Sequence, residues 1–357
     1  MKGKDLLRRR LYNQHLAQPA LKNPTDMVAW LGAVQAQDYA GAKWALGQRL
    51  VGATDATLDE AFNAGAILRT HVLRPTWHFL APADIRWVLA LSAPRVHALN
   101  ATYYRQAELD DATYRRSNAA LTKALRDGQC LTRDELAEVL SRAGIERKGL
   151  ELAYVIMRAE LDGLLCSGPR RGKQFTYALL EARVPPARAL DAGEALAELV
   201  KRYFQSHGPA QVKDFAMWSS LTMADTKRGL DMLGGAVEQE TLDGQTYWFA
   251  PIDAPAMPTP AYLLPNYDEY TLAYKDRDAF YDSAATRPAK EPRAPSLFPH
   301  TVVLDGRIGG MWRRTQNKNV VVETDFFGKL TAGERRRFDA AVQRLGEFVG
   351  LPAVTVP

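Results

Sequence analysis

The sequence predicts an α+β fold in which three helical units, each completed by a β-hairpin, precede a small β-rich unit. Helix caps followed by two short strands recur along the first two thirds of the chain. The dipeptide Asp243-Gly244, a strong hairpin signal, marks the clearest of these hairpins. A proline-rich stretch at 250–261 separates the helical units from a region of short strands. We place the four units at 1–117, 118–188, 189–254 and 262–357.

The first unit is predicted to be mainly helical. Its helical segments lie at 5–17, 25–34, 41–50, 57–64 and 82–127. Thr25 supplies an N-terminal cap for the second of these segments. The segments AILRTHVL and TWHFLA are rich in β-branched and aromatic residues, which predicts two strands around a turn at Arg74-Pro75.

The second unit opens with a capping box, in which Glu135 follows Thr132 by three residues. A further helix ends at Gly163, and the segment LLCSGPRRGKQFTYAL predicts two strands around a Gly-Pro turn. Helices followed by a hairpin indicate a winged helix, whose wing contacts phosphates. Three basic residues occupy the predicted tip of this wing, namely Arg170, Arg171 and Lys173.

The third and fourth units follow from the same signals. Three predicted helices and a hairpin, with Tyr247 and Phe249 at alternate positions, make a second clear winged helix. Beyond the proline-rich stretch, short strands include a hairpin turn at Asp305-Gly306. A last helix and a terminal strand complete this mixed unit, which we expect to be a barrel or half-barrel.

Composition restricts the class of protein. Hydrophobic residues make up 46% and charged residues 24% of the chain, and no apolar run approaches the ~20 residues that span a bilayer. Only Cys130 and Cys166 are present, too few for a disulfide scaffold or a structural zinc cluster. We therefore expect a cytoplasmic monomer without metal, cofactor or membrane partner. A net charge of +5 is compatible with a polyanionic partner but does not require one.

The segment AVQAQDYAG places two amides, Gln35 and Gln37, at the end of an apolar run. On a continuous helix, residues two apart diverge by about 200° and cannot converge. If the helix ends near Gln35, Gln37 lies in the following turn and can fold back beside it, with Asp38 at the exit. Capping of the helix end is the alternative, and the residues alone favour it.

Other catalytic signatures are scarce. The sequence has no Gly-rich phosphate loop and no His-Glu-x-x-His motif. Asp268 and Glu269 are adjacent, so on a strand they would point to opposite faces. They are therefore a weak acid–base pair, although either residue could contribute alone.

Six segments occur in order along nearly the whole chain: AVQAQDYAG, RTHVLRPTWHFLAPADIRW, SGPRRGKQFTYAL, SHGPAQVKDFAMWS, LLPNYDEYTLAYKDR and VVLDGRIGGMWRR. Together they resemble the winged-helix DNA-binding family that contains the AlkZ-like and YcaQ-like (AlkX) DNA glycosylases. The resemblance implies three tandem winged helices and a C-terminal β-barrel, arranged as a C-shaped clamp around duplex DNA. Gln35-Ala36-Gln37 matches the Gln-aliphatic-Gln signature of the family. The resemblance thus implies that Gln35 and Gln37 position the water that attacks the anomeric carbon.

The segment RTHVLRPTWHFL departs from the family pattern at two positions. Members that confer antibiotic self-resistance tend to have Arg-Gly-Thr followed by Leu-His, whereas this chain has Pro75 and Trp77 in place of the glycine and the leucine. Thr76 and His78 keep the pattern. We therefore expect Thr76, His78 and the nearby Asp38 to line the active site.

The resemblance implies a monofunctional DNA glycosylase that hydrolyses the N-glycosidic bond of N7-alkylated purines, bulky adducts and crosslinks included. An N7-alkylated guanine is positively charged, so its glycosidic bond is already weakened and the enzyme need only orient a water and stabilise positive charge. The alternative is a non-catalytic winged-helix protein, either a regulator or an architectural factor. Both hypotheses imply double-stranded DNA as the partner. The candidate phosphate contacts are Arg170, Arg171, Lys173, Arg313 and Arg314.

Overall fold

The first unit combines five helices with a three-stranded antiparallel sheet. A computed structural model describes residues 3–251, 255, 260–281 and 300–356. The elements of this unit are α1 (Gly3–Asn13), α2 (Pro24–Leu31), β1 (Val34–Gln35), α3 (Tyr39–Gly47), α4 (Asp55–Ala64), β2 (Leu68–Val72), β3 (Arg74–Leu80) and α5 (Ile85–Gln106). The strand order is β1-β3-β2, so β3 is the central strand.

Three local predictions for this unit are wrong. The cap of α2 is Asn23 and not Thr25: the Asn23 side chain accepts from the Thr25 N–H, and the Thr25 hydroxyl donates to the backbone oxygen of Ala66. Helix α2 ends at Leu31, because Gly32 adopts a φ of +80° and turns the chain into β1. Gln35 therefore lies on a strand and not at a helix end. The predicted turn at Arg74-Pro75 is the start of β3, and the chain reverses instead at Leu73, whose φ is +61°.

The second unit also joins helices to a small sheet, of order β4-β6-β5. Its elements are β4 (Leu131–Thr132), α7 (Arg133–Arg142), α8 (Gly149–Leu161), β5 (Leu165–Ser167), β6 (Thr176–Leu179) and α9 (Leu180–Arg183), preceded by α6 (Asp111–Ala124). Helix α6 spans the predicted boundary between residues 117 and 118. The predicted capping box is confirmed: Thr132 accepts from the Glu135 backbone N–H, and the Glu135 carboxylate accepts from the Thr132 N–H.

The third unit consists of three helices and a two-stranded hairpin. Its elements are α10 (Ala192–Ser206), α11 (Val212–Ser219), α12 (Met223–Leu233), β7 (Glu238–Leu242) and β8 (Gln245–Phe249). The predicted turn is confirmed, since Asp243 and Gly244 have φ values of +49° and +73°. Two positive φ values in succession match the twist of the flanking strands.

Three short 3₁₀ helices lie between the main elements of the described chain, at Arg126–Gly128, Gly234–Ala236 and Asp278–Phe280.

The fourth unit is a five-stranded sheet with one long helix packed on it. Its elements are β9 (Tyr262–Leu264), α13 (Glu269–Leu272), β10 (Thr301–Leu304), β11 (Arg307–Gln316), β12 (Val320–Phe326), α14 (Ala332–Val349) and β13 (Ala353–Val356). The order is β13-β12-β11-β10-β9, and within the described residues the two edge strands do not pair. The expected barrel for 262–357 is therefore an open sheet here. Helix α14 packs against both edge strands, β9 and β13.

The core joins the two ends of the chain. One hydrophobic cluster combines α2–α4 with the sheet and helix of the fourth unit, as in the contact of the Trp44 and Phe348 rings at 5.1 Å. The Trp44 indole also donates to the backbone oxygen of Leu263 at 2.6 Å. In the described part of the chain, no helix has both the length and the apolar character to cross a bilayer.

Candidate active site

Gln35 lies on the short strand β1, and Gln37 lies in the bend that follows it. Gln35 is directly opposite His78 in the register of β1 and β3. The pairing extends by one residue, because the Ala36 N–H donates to the backbone oxygen of Trp77 at 2.7 Å. Gln37 lies two residues further on, outside the paired residues of β1, and its side-chain oxygen approaches the backbone nitrogen of Trp77 on β3. Both glutamines therefore adjoin neighbouring residues of β3, Gln35 opposite His78 and Gln37 beside Trp77.

The glutamines differ in exposure and in contacts. Gln35 is buried, whereas Gln37 is exposed. The Gln37 side-chain oxygen lies 3.4 Å from the backbone nitrogen of Trp77, at the long end of hydrogen-bond distances. One amide is therefore held inside the protein, and the other is accessible from solvent.

Arg74 connects Gln35 to His78, its partner on the neighbouring strand. Its Nη2 donates to Gln35 Oε1 at 2.8 Å and to His78 Nε2 at 3.0 Å. Its Nη1 donates to the backbone oxygen of Trp218. Burial lowers the pKa of Arg74, and the negative charge of Glu269 opposes that shift. The guanidinium thus remains a charged donor that contacts the first and third units.

His78 is a neutral histidine with both ring nitrogens occupied. Its Nδ1 lies 2.9 Å from the backbone oxygen of Thr76, which can only accept, so the proton is on Nδ1. Nε2 then accepts from Arg74. Burial, together with the positive charge of Arg74, lowers the pKa of His78 to about 3. His78 therefore positions its neighbours and does not serve as a proton acceptor at neutral pH.

The low pKa of His78 predicts acid-sensitive stability. An unfolded chain binds a proton at this histidine below a pH of about 6.5, whereas the folded chain does so only near pH 3. The contribution is fully present above pH 6.5 and is lost as the pH falls. We expect the free energy of unfolding to drop by about 3 kcal/mol between pH 6.5 and pH 4 from this group. Urea unfolding at several pH values measures it. The variant His78→Gln should show a shallower dependence, and an unchanged slope would contradict the assignment.

Glu269 is a fully buried carboxylate directly beneath the strand of the glutamines. Its Oε1 accepts from the Gln35 backbone N–H at 3.1 Å, and its Oε2 accepts from the Trp218 indole at 2.8 Å. The Nε2 of His207 lies 3.3 Å from Oε2. Burial raises the pKa of Glu269, but the hydrogen bond and charge of His207 and the charge of Arg74 outweigh it, so the pKa is below its usual value. A single ionised carboxylate thus holds groups from the first and third units.

The adjacent Asp268 has a separate, structural role. It caps α13 by accepting from the Tyr270 N–H at 2.9 Å. Its two oxygens also accept from the two terminal nitrogens of Arg49, at 2.7 and 2.9 Å. Both residues are fully buried. Asp268 and Glu269 thus lie at the start of a helix and not on a strand. Asp268 contacts Arg49, and Glu269 contacts the backbone of Gln35.

The opposite face of the sheet holds the residue between the two glutamines. Arg69 Nε donates to the backbone oxygen of Ala36 at 2.9 Å. Its guanidinium packs against the rings of Trp77 and Phe175, at 4.3 and 4.5 Å from their centres. Burial lowers the pKa of Arg69 to about 10, so it stays charged at neutral pH. Both backbone polar groups of Ala36 are thus hydrogen-bonded, the N–H to Trp77 and the oxygen to Arg69, and these bonds hold the segment between the two glutamines in place.

The two further predicted lining residues occupy the same neighbourhood. Asp38 immediately follows Gln37 and caps α3 by accepting from the Gly41 N–H at 3.1 Å. Thr76 shares its face of β3 with His78 because the two are two positions apart. Its hydroxyl oxygen is shielded from solvent and has no hydrogen-bond partner among the described residues. Asp38 is therefore a helix cap at the rim, and Thr76 offers a free hydroxyl.

The basic residues at the second unit's hairpin tip have different surroundings. Arg170 is mostly buried, and its guanidinium lies 3.7 Å from the carboxylate of Asp59 on α4. Arg171 pairs with Glu135 at 2.7 Å, and its side chain is 54% exposed. Lys173 is exposed and makes no ion pair within the described ranges. The tip is thus attached to the first unit through Arg170, while Lys173 faces solvent.

The basic pair on β11 lies in the fourth unit. Arg313 is exposed and bonds Glu323 on β12 through Nε at 2.7 Å. Arg314 is half-buried; burial lowers its pKa, and the charges of Asp38 and Asp55 oppose that shift. Arg314 therefore faces the first unit close to the rim of the glutamine site.

Four residues of this site were not predicted as members. They lie on four different elements or loops and meet only in the folded chain; they are Arg74, His207, Trp218 and Glu269. All four lie in segments that carry the family resemblance, but only Glu269 was considered for a role in catalysis, as one half of the adjacent acidic pair. The buried network around the glutamines depends on contacts that a linear pattern does not contain.

Comparison with known proteins agrees with the resemblance found in the sequence. The sequence model of a family described as DNA glycosylase AlkZ-like matches residues 28–348. An interstrand DNA cross-link repair glycosylase from Streptomyces sahachiroi is 25% identical over 332 residues, which cover 87% of this chain and 88% of that protein. The solved structure of the Streptomyces sahachiroi DNA glycosylase AlkZ has a TM-score of 0.79 to this fold, at 22% identity and full coverage of both chains. Since the family match spans most of its length, the chain belongs to the AlkZ-like DNA glycosylase family.

Proposed function

We propose that this chain excises N7-alkylated purines from duplex DNA with a water held between Gln35 and Gln37. The observation that supports this most is that both glutamines adjoin neighbouring residues of β3, Gln35 opposite His78 and Gln37 at the backbone of Trp77, with Gln37 open to solvent. Gln35 is fixed by Arg74 on its side chain and by Glu269 on its backbone. A water between two positioned amides is oriented before the substrate arrives.

The proposed reaction needs little help beyond orientation. The water oxygen forms a bond to the anomeric carbon as the carbon–nitrogen bond to the base breaks. The electron pair of that bond neutralises the cationic N7-alkylguanine, which leaves as a neutral base, and the water gives up a proton to solvent. The products are the free base and an abasic site. His78 and Glu269, the two possible proton acceptors beside Gln35, already have hydrogen-bond partners, so the amides remain the groups proposed to contact the water.

The exposure of Gln37 also suggests which lesions fit. A residue at the surface of the protein does not require the damaged base to enter a closed pocket. We propose that bulky adducts and crosslinked bases are accepted for this reason, whereas an enzyme that flips the base into a snug pocket would exclude them. The Streptomyces sahachiroi relative is named for interstrand cross-link repair, which supports the same extension.

Base release from a duplex with one N7-methylguanine tests the proposal. We expect the wild type to release the base, and Gln37→Ala or Gln35→Ala to lower the single-turnover rate by about 10²–10³, the usual cost of removing one positioned hydrogen-bonding group. The dissociation constant for the duplex should change less than threefold. An equal fall of binding and excision would assign the glutamines a structural role. Tight binding without any release by the wild type would favour a non-catalytic DNA-binding protein.

The three helical units are proposed to be winged helices that surround the duplex as a C-shaped clamp. Support comes from the hairpin that follows the helices in each of them. Among the candidate phosphate contacts, Lys173 is the best supported, because it is exposed and makes no ion pair in the described part of the chain. Arg171 and Arg313 would have to exchange Glu135 and Glu323 for a phosphate. Arg170 and Arg314 are more deeply buried and face the first unit.

Removing one phosphate contact has a measurable effect on salt dependence. We expect Lys173→Ala to weaken duplex binding uniformly across sequences and to reduce the slope of log K against log salt concentration by about 1. Lys173→Arg keeps the charge and serves as the control, with an unchanged slope. A slope that is the same in Lys173→Ala and the wild type would remove this residue from the interface.

A further inference from the structure

Arg74 determines which end of the Gln35 amide faces which way. A guanidinium can only donate hydrogen bonds, so the atom that lies 2.8 Å from Arg74 Nη2 must be the carbonyl oxygen of Gln35. The NH₂ group lies on the other side of the same planar amide. Within the described residues it makes no hydrogen bond, and it is absent from the buried unpaired groups. The free end of Gln35 is therefore a donor.

The orientation of Arg74 is itself fixed. Its Nη2 has two hydrogens, and these are used by Gln35 and by His78 Nε2. Its Nη1 is held by the backbone oxygen of Trp218. His78 in turn cannot rotate without breaking its bond to the Thr76 carbonyl. Three contacts thus hold the guanidinium, and the Gln35 amide cannot flip without losing a charge-assisted hydrogen bond.

The side chain of Gln37 is held much less firmly than that of Gln35. Its carbonyl oxygen has one long contact, at 3.4 Å to the Trp77 backbone nitrogen, and no charged donor binds it in the described ranges. An amide oxygen has two lone pairs, so this one keeps the capacity to accept. The oxygen of Gln35, by contrast, is already polarised by a positive charge, which makes it a poorer second acceptor.

On the basis of the proposed function, we infer that Arg74 is a positioning residue that gives the two glutamines different tasks. Gln35 donates from its NH₂ group to the oxygen of the water, and Gln37 accepts a hydrogen of the same water. One lone pair of the water is then held by Gln35, and the other is directed at the anomeric carbon. A neutral amide oxygen is too weak a base to take a proton, so Gln37 holds one hydrogen of the water while the other passes to solvent as the new bond forms.

Isosteric substitutions separate the two tasks. Glutamate has the shape of glutamine but no side-chain donor at neutral pH. We expect Gln37→Glu to keep a single-turnover rate within about tenfold of the wild type, because a carboxylate still accepts. Gln35→Glu should fall by about 100-fold or more, since the water loses its donor. Equal losses, or the reverse order, would overturn the inference. Failure of the wild type to release any base would count against the proposed function, and the next experiment then decides the inference.

An experiment that does not depend on activity uses the side-chain NH₂ signals of the protein labelled with ¹⁵N-glutamine. The Gln35 signals are identified by their loss in Gln35→Glu, and those of Gln37 by their loss in Gln37→Glu. In Arg74→Met the Gln35 signals should shift and exchange faster with solvent, while the Gln37 signals stay in place. Arg74→Lys, which still donates, should restore most of the Gln35 pattern. Gln35 signals that are identical in Arg74→Met and the wild type would overturn the inference even if all variants are folded.

Discussion

Replacing Glu269 with alanine should lower the rate of base excision at least 100-fold and the free energy of unfolding by about 3–5 kcal/mol, the range for breaking a buried ionic contact. The carboxylate is fully buried and accepts from the Gln35 backbone and the Trp218 indole, with His207 at 3.3 Å. Without it these groups are buried and unpaired, and Arg74 loses a compensating negative charge. The strand of the glutamines would then shift, and a displacement of about 1 Å is enough for such a loss of rate.

Two variants make this prediction specific. Glu269→Gln keeps the shape but sets an NH₂ group against donors, so it should also lose most activity. Glu238→Ala removes an exposed acid from β7 and should change stability by less than about 0.5 kcal/mol. Urea unfolding and single-turnover excision measure the two effects. Wild-type excision by Glu269→Ala would show that the buried carboxylate does not support the site.

Breaking the buried pair of Arg49 and Asp268 should have a comparable effect on stability. Arg49→Met leaves the Asp268 carboxylate without its two hydrogen bonds at 2.7 and 2.9 Å, and we expect a loss of about 3–5 kcal/mol. Arg49 also donates to Gln14 and to the backbone oxygen of Ala45, so its removal disturbs the first unit as well. Because Asp268 caps α13, excision should fall with stability.

A double-mutant cycle isolates this pair. The double variant Arg49→Met/Asp268→Asn should lose less free energy of unfolding than the two single variants lose together. The reason is that each single variant leaves one buried charge unpaired, whereas the double variant leaves none. The control is Arg142→Met, which breaks an ion pair with Glu138 whose side chains are 76% and 67% exposed. That change should cost less than about 1 kcal/mol. Additive losses in the cycle would mean that the two residues act independently.

The features predicted well from the sequence are those with local causes. The capping box of Thr132 and Glu135 and the turn at Asp243-Gly244 involve residues within three positions of each other. The end of α2 was predicted wrongly because the chain there pairs with β3, more than forty residues later. Pairing across the chain supplied hydrogen bonds that outweighed the helical pattern up to Val34. Of the expected barrel or half-barrel, the described residues form an open five-stranded sheet, and α14 contacts its two edge strands.

The candidate site also has a part that the sequence predicts and a part that it does not. Gln35 and Gln37 are identified from a short pattern and its resemblance to a family, and in the fold both adjoin β3. Their surroundings were not predictable, because Trp218 and Glu269 approach from distant segments. A buried glutamate in a linear sequence looks like any surface glutamate. Only the fold distinguishes the two.

The hydrogen bond between Gln35 and Glu269 has a consequence for biosynthesis. The two residues are 234 positions apart in the chain. At ordinary rates of translation, roughly 10 to 50 s pass between the synthesis of the first and that of the second. During that interval the nascent chain contains both glutamines but not the carboxylate that fixes their strand. We therefore expect a chain that ends before α13 to lack the proposed excision activity, so that premature termination of synthesis would yield an inactive fragment.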